Sequence, residues 1–297
     1  MKASELIGLS DVLELMLDAV CVVDRFGHFV FVSAAFENMF GYSPSEVIGQ
    51  SMERMVFPED KLKTAKVVET LLNGEVQPRF ENRWLHKDGR IVHVLWSARW
   101  SEEHQVRIAV AHDITERKII ESRLVYMAAH DQLTGLPNRS FFLERLEGGL
   151  LRVNQNESYP SPVVLFVDID GFKQVNDNYG HGVGDKLLQL IAQRLQHCVG
   201  ESVCVARQGG DEFLVLLGDD DAKGAEQTKA IAQNAVLEIG KPFNIEGALL
   251  HVSASIGLSN SKNHATTVLE LIRQADLAMY QAKRLGGNQV AVFETVH

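Results

Sequence analysis

Four carboxylates and two glycines in this sequence stand where they could perform phosphoryl chemistry. The stretch VARQGGDEFLVLL, residues 205–217, interrupts an apolar, β-branched run with Gly209, Gly210, Asp211 and Glu212. A second apolar run, VVLFVDID at 163–170, ends in Asp168 and Asp170. A hard divalent cation needs several oxygens fixed on rigid elements, and a strand-end carboxylate beside a hairpin-tip carboxylate pair supplies them. Each stretch alone has a plainer reading, because two glycines give the positive φ of a tight turn and carboxylates at a hairpin tip are commonly just solvated. Together they point to metal-assisted phosphoryl transfer.

The elements that must position these residues alternate along the second half of the chain. Helices at about 140–155, 184–198, 221–239 and 266–285 separate strands at 163–168, 202–207, 212–217 and 248–258. Leu188, Ile191 and Leu195, and likewise Val268, Ile272, Ala275 and Met279, recur at helical spacing and are read as core. Helices between strands, with one hairpin in the middle, predict an α/β layer fold with a mixed sheet.

The first half has a different texture. A short helix over SDVLELML, strands in AVCVVDRFGHFVFVS, small helices across AAFENMFGYSPSEVIG and a longer helix over EDKLKTAKVVETLLNG precede three strands. The turns in RFGHF and at Lys87, Asp88 and Gly89 join alternating segments as hairpins, which predicts an antiparallel sheet with helices on one side. Residues 114–129, ITERKIIESRLVYMAA, lack Gly and Pro and form a helix by propensity. Ile120, Leu124 and Met127, with Ile119 alongside, make an apolar stripe. That stripe either packs on its own domain or pairs with the same helix of a second subunit, and its place between two domains favours a dimeric stalk.

Composition narrows the function classes. The chain has 297 residues, enough for two ordinary domains, and with 45% hydrophobic and 23% charged residues it reads as globular. Its net charge of -10, without a basic cluster, disfavours nucleic acid as a partner. No apolar run approaches the roughly 20 residues of a membrane span, and the N-terminus lacks a signal-peptide pattern, so a cytoplasmic location is expected. Cys21, Cys198 and Cys204, odd in number and without ligand spacing, are expected to be free thiols.

Residues 8–117 resemble a PAS sensor domain, through AVCVVDRFGHFVFVSAAFENMFGYSPSEVIG, FPED, KDG and the final DIT. Residues 130–297 resemble the GGDEF family of diguanylate cyclases, through HDQLTGLPNR, DIDGFKQVNDNYGHGVGD, RQGGDEF, SIG and ADLAMYQAK in family order. The resemblance implies an α+β architecture in which a PAS fold is joined by the helical linker, 114–129, to a palm-like nucleotide-cyclase domain. It also implies an activity, condensation of two GTP molecules into cyclic di-GMP and pyrophosphate. By resemblance Asp168, Asp211 and the carbonyl of Ile169 hold Mg²⁺ or Mn²⁺, with Glu212 in support. Asp211 is the candidate proton acceptor, although metal polarisation of the hydroxyl would make a dedicated base unnecessary. Gly209 and Gly210 would let substrate approach the backbone.

Asn176 and Asp185 match positions that read guanine, and a carboxylate suits the N1 and exocyclic amine donors. His181 matches a substrate contact but equally suits a helix-start brace. Lys173 and Lys283 fit phosphate contacts, with solvent exposure as the alternative for Lys283; Asp170 and Asp177 are read as structural or capping residues. Two departures stand out. GESV at 200–203 replaces the Arg-x-x-Asp inhibitory motif, which puts product feedback in doubt, and Gly287 stands where the family often has arginine. Weaker GTP affinity is therefore expected, and Gly287→Arg is expected to lower the apparent Michaelis constant.

A single cyclase domain supplies half of a product-forming site, so a homodimer is implied. The sequence names no PAS ligand. The long helix has no histidine for haem, and Cys21 lies in a strand, not the helix of a photoreactive flavin site. Trp84, Trp96 and Trp100 suit either an aromatic-ligand pocket or plain packing. Three functions follow: an active cyclase regulated by its sensor, a non-catalytic GTP- or product-binding module, or an interaction protein whose second domain is a scaffold. The last leaves the metal and guanine residues unexplained.

Overall fold

The computed structural model describes residues 16–73, 77–155, 161–200, 203–218, 225–261 and 267–294. The chain divides into two compact units, Met1–Arg123 and Leu124–His297. The helix expected over SDVLELML falls mainly on residues outside the described ones.

The first unit contains β1 (Ala19–Asp24), β2 (Phe29–Val32), α1 (Ala34–Phe40), α2 (Pro44–Val47), α3 (Lys61–Leu72), β3 (Gln77–Leu85), β4 (Ile91–Ser101) and β5 (Val106–Asp113). Its five-stranded sheet runs β2-β1-β5-β4-β3, and every pairing is antiparallel. Asp24 closes the first hairpin by accepting from the amides of Phe26 and His28, both at 2.8 Å, around Gly27 at φ +88. Asp60, just ahead of α3, accepts from the Arg83 amide at 2.7 Å and from its guanidinium, which fastens the helix start to β3. Phe29, Phe36, Phe40, Trp84 and Trp96 form a contiguous aromatic core, with the two tryptophan rings 4.9 Å apart. Trp100 is separate from it, its indole N–H donating to Glu102 at 2.7 Å.

Helix α4 (Thr115–Ala129) is continuous as propensity predicts, and the boundary between the units falls within it. None of its residues is buried; Ile119, Ile120, Leu124 and Met127 are all exposed in the single chain.

The second unit contains α5 (Arg139–Gln155), β6 (Val163–Asp170), α6 (Phe172–Tyr179), α7 (His181–Val199), β7 (Cys204–Gly209), β8 (Glu212–Leu217), α8 (Ala225–Ile239), β9 (Phe243–Ile245), β10 (Ala248–Leu250), β11 (Ser253–Asn260), α9 (Val268–Arg284) and β12 (Val290–Val292). The main sheet runs β12-β11-β6-β8-β7 and is mixed, since β12 joins β11 in parallel while the other pairs are antiparallel. Three short elements go beyond the sequence reading. The polar run FKQVNDNY forms α6, and the strand expected over 248–258 divides into β10 and β11, with β9 and β10 joined at Glu246 and Gly247, both at positive φ. β12 pairs with only the middle of β11.

Strand β6 is apolar without interruption because both of its faces are covered. Val163, Leu165, Val167 and Ile169 enter a core with α7 and α8, while Val164 and Phe166 enter a second core with α5 and α9. The period of two therefore assigns Asp168 and Asp170 to the α9 face. On β11 the same face carries Ser253, Ser255, Gly257 and Ser259, all small. A Cβ built on Gly257 would lie 1.9 Å from the Ala275 carbonyl and 2.2 Å from the Met279 amide, so α9 touches the strand backbone there. Ser259 Oγ donates to the Leu271 carbonyl at 2.7 Å and adds to the contact.

Overpacking at this contact gives the first prediction. Gly257→Ala is expected to destabilise the second unit by about 3 kcal/mol or more in denaturant titration. Gly148, inside α5 with nothing within 4 Å of an added Cβ, is the counter-case: Gly148→Ala is expected to stabilise by about 0.5–1 kcal/mol.

Candidate active site

The candidate residues gather at the end of β6. Asp168 pairs in register with Glu212 at the start of β8, and Leu214 and Leu216 lie in the α9-side core, so alternation turns Glu212 to that face too. The Ile169 amide donates to the Asp211 carbonyl at 3.3 Å, which ties the turn to the strand end. Gly209, at φ +153, ends β7 opposite Glu212, and Gly210, at φ +55, forms the turn with Asp211; a Cβ on either glycine would meet nothing within 4 Å. The glycines thus serve the backbone conformation and leave the outer face of the turn open to a ligand.

The turn is braced from a distant segment that the sequence reading quoted but gave no role. Arg207 donates to the Gly210 carbonyl through Nε at 3.0 Å and Nη2 at 2.8 Å, and through Nη1 to both oxygens of Asp131 at 3.0 and 3.1 Å. Asp131 also accepts from the Thr134 amide and hydroxyl, at 2.9 and 2.7 Å. These bonds hold its carboxyl below the ordinary value against the opposing effect of burial. The one signal available in the sequence was local, an Asp-x-x-Thr pair of the kind that closes a turn.

Charge at the site is unbalanced. Asp168 is buried, and burial raises its carboxyl above the ordinary value; Asp211 and Asp170 push the same way, while Lys283 opposes them. Lys283 Nζ lies 2.5 Å from Asp168 Oδ1 as an ion pair, although that oxygen has no aligned hydrogen-bond donor. Burial also raises Glu212, reinforced by Asp168, Asp211 and Asp276 and countered by the amide of Gln208 at 3.2 Å. Among the described residues no three acidic, His or Cys side chains converge into a closed cluster. The donors are nevertheless hard oxygens, partly desolvated and mutually repelling, and that chemistry fits Mg²⁺ or Mn²⁺.

The remaining candidates lie on α6 and α7, which continue directly from β6. A Cβ on Gly184 would sit 1.9 Å from Asn176 Oδ1, so this glycine is what admits the Asn176 side chain between the helices. Asn176 Oδ1 is buried without a partner. Lys173, His181 and Asp185 are exposed, His181 being the first residue of α7. Lys283 is less free than a phosphate-contact reading implies, given its pairing with Asp168. Asp170 is structural as expected: it accepts from Ser253 Oγ and Ser255 Oγ, each at 2.9 Å, and from the Asn288 amide at 3.0 Å. Gly287 stands at φ +72 with an added Cβ 3.0 Å from Asp170 Oδ2. The backbone there is set for glycine, so an arginine would bring strain as well as charge. The GESV stretch lies partly outside the described residues.

A mixed palm-like sheet carrying carboxylates at a glycine turn, in a chain that also holds an antiparallel sheet-and-helix sensor fold, defines a PAS and palm-domain protein. The chain belongs to the GGDEF family: the model described as "Diguanylate cyclase, GGDEF domain" matches residues 128–289, and the PAS fold model matches residues 9–114. It is similar to the diguanylate cyclase TpbB of Pseudomonas aeruginosa, 43% identical over 162 residues that cover 54% of this chain and 36% of TpbB. It is also similar to the cyclic di-GMP phosphodiesterase PdeR of Escherichia coli, 28% identical over 291 residues, 93% of this chain and 41% of PdeR. The chain thus spans well under half the length of these relatives. The crystal structure of the TpbB GGDEF domain superposes with a TM-score of 0.52 at 38% identity, covering 55% of this chain and 99% of that one. No helix among the described residues is long and apolar enough to cross a membrane.

The raised carboxyls give a pH prediction. A carboxyl whose folded pKa exceeds its unfolded value binds protons more tightly when folded, so stability falls as pH rises from the unfolded value through the folded one. Glu212→Gln is expected to raise the Tm of the metal-free protein at neutral pH and to flatten its decline across the carboxylate range, read by thermal melts from pH 4 to 7.

Proposed function

We propose that this chain is a diguanylate cyclase that condenses two GTP molecules into cyclic di-GMP with release of pyrophosphate. The observation that carries the reading is the placement of Asp168 and Glu212 on one sheet face beside an open Gly209–Gly210 turn. The relative named a diguanylate cyclase supports it.

The 3′-hydroxyl of one nucleotide must attack the α-phosphate of another, and alignment with charge stabilisation supplies most of the catalysis. A divalent cation, when bound, polarises the phosphates and acidifies the attacking hydroxyl. Asp168, Asp211 and the Ile169 carbonyl would hold it, with Glu212 in support. Asp211 would accept the hydroxyl proton, unless polarisation by the cation makes a dedicated base unnecessary. Asn176 and Asp185 read the guanine edge, with Gly184 seating Asn176, and His181 sits at the start of the same helix. Lys173 and Lys283 supply positive charge to the phosphates, and the glycine turn admits the ribose or triphosphate to the backbone.

Each domain offers half of the site, so two copies must face each other. The exposed apolar residues of α4 suit pairing with a second copy, through which the sensor domain would set the spacing of the two halves. Ile120→Glu with Leu124→Glu is expected to abolish dimerisation in light scattering and to lower turnover at least tenfold; a fully active double variant overturns this part.

PdeR, similar across both domains, is named a phosphodiesterase and not a cyclase, which keeps a second reading in play, a GTP- or product-binding regulatory module without turnover. Incubation with GTP and Mg²⁺, with products resolved by chromatography, separates the two. Cyclic di-GMP from the wild type and none from Asp211→Ala is the expected outcome, whereas GTP binding without product favours the regulatory module.

A further inference from the structure

Arg107 on β5 stands in register with Val23 on β1, and it alternates with Ala109 and Ala111 on the face of the sheet that meets the aromatic core. It is 5% exposed, and its Nη2 donates to Met52 Sδ at 2.7 Å. A thioether is a weak acceptor, so this buried guanidinium has a partner in the right position and of the wrong strength. Two other polar side chains beside it are engaged elsewhere. Asn82 donates to Thr64 Oγ1 at 2.9 Å and accepts from Trp96 Nε1 at 2.8 Å, and Thr64 donates to the Asp60 carbonyl at 2.8 Å.

The sulfur is reachable from outside. Met52 is the first residue of the short 3-10 turn Met52–Arg54 and is half-buried. It borders an outer groove of about 400 Å³ beside Arg25 and Lys61, and also an inner space of about 50 Å³ next to Arg107. That inner space has room for one added oxygen atom and too little for an organic ligand. Cys21 borders the same space but is 2% exposed, and burial pushes its thiol up to about 12, which keeps it neutral and unreactive. Met55, three residues on, is 5% exposed.

We propose that Met52 is a modification site for hydrogen peroxide, which converts it to the sulfoxide, and that Arg107 holds the added oxygen. A sulfur lone pair attacks one peroxide oxygen and the O–O bond breaks. The second oxygen leaves with the bonding pair as hydroxide and takes the proton of the first to form water. Sulfur is thereby oxidised by two electrons and the peroxide reduced by two. The Arg107 guanidinium donates to the departing oxygen as its charge develops, and afterwards to the S=O group. In an ordinary core a sulfoxide disrupts packing. Here it places a strong acceptor before a buried cation in exchange for a weak one, so oxidation strengthens the contact. Because Arg107 meets the sulfur from one side, one sulfoxide epimer predominates. Strand β5 ends one residue before α4 begins, so a tighter hold on Arg107 bears on the strand that feeds the linker. The assignment holds whether or not the second unit turns over GTP.

The test treats the full chain with hydrogen peroxide, locates sulfoxide by peptide mass spectrometry and follows the melting of the first unit. Met52 is expected to oxidise about tenfold faster than Met55, and its sulfoxide to be repaired by only one of the two epimer-specific methionine sulfoxide reductases. Oxidation is expected to raise the Tm of the first unit by about 4 °C or more, and Met52→Leu to lose that rise. Met52→Gln, whose amide oxygen stands in for the sulfoxide, is expected to raise the Tm without peroxide, but not when combined with Arg107→Met. The proposal is overturned if Met52 reacts no faster than Met55, if the oxidised wild type melts at or below the reduced protein, or if Met52→Leu gains the same Tm on oxidation. Equal repair by both reductases overturns the placement of the oxygen on Arg107.

Discussion

Helix α9 rests on β11 at backbone contact, and the arrangement of charge in the second unit depends on that approach. Gly257 has no side chain to hold the helix off, and the serines on either side of it are small enough to continue the contact. With α9 so close, Lys283 reaches the buried carboxylate of Asp168, and Asp276, seven residues earlier and so on the same helical face, comes near enough to influence Glu212. Alternation along β6 and β8 does the rest, since it turns Asp168 and Glu212 toward the helix and commits their neighbours to the opposite core.

The two units face the same electrostatic difficulty with opposite signs. In the second unit, several carboxylates crowd a partly dry strand end with one lysine paired to Asp168. In the first, one guanidinium lies in an apolar cavity against a thioether and a neutral thiol. Each arrangement is less stable than an apolar replacement of the same shape would be. By contrast, Asp60 with Arg83 and Asp131 with Arg207 are mutually satisfied pairs, and their work is to hold elements together.

Much of this was legible in the sequence, for reasons that differ by element. The run VVLFVDID announced a strand covered on both faces and ended by carboxylates, because full burial removes the need for polar alternation. The glycine pair before Asp211 marked the hairpin, and the spacing of Val268, Ile272, Ala275 and Met279 marked a helix against the sheet. Helix α6 was hidden because FKQVNDNY is short and polar, and its amphipathic signal rests on Phe172 and Val175 alone. The brace from Asp131 to Arg207 spans 76 residues of chain, which no local pattern encodes. The close fits at Gly184 and Gly257 were equally silent, since a glycine in a sequence does not say what stands against its Cα. Gly287 read as a missing cation, whereas the fold shows a left-handed backbone position pressed against Asp170.

The bonds converging on Asp170 give the sheet edge a distinct character. Strand β6 is held by neighbours on both sides and by apolar cores on both faces, and at its end Asp170 joins Ser253 and Ser255 of β11 to the Asn288 amide of the chain returning after α9, which β12 then fastens by pairing with β11. β12, which follows, is only half-buried. The domain thus combines a greasy spine with a polar latch at its margin. Local opening would begin at that half-buried margin and leave the strand that carries Asp168 in register.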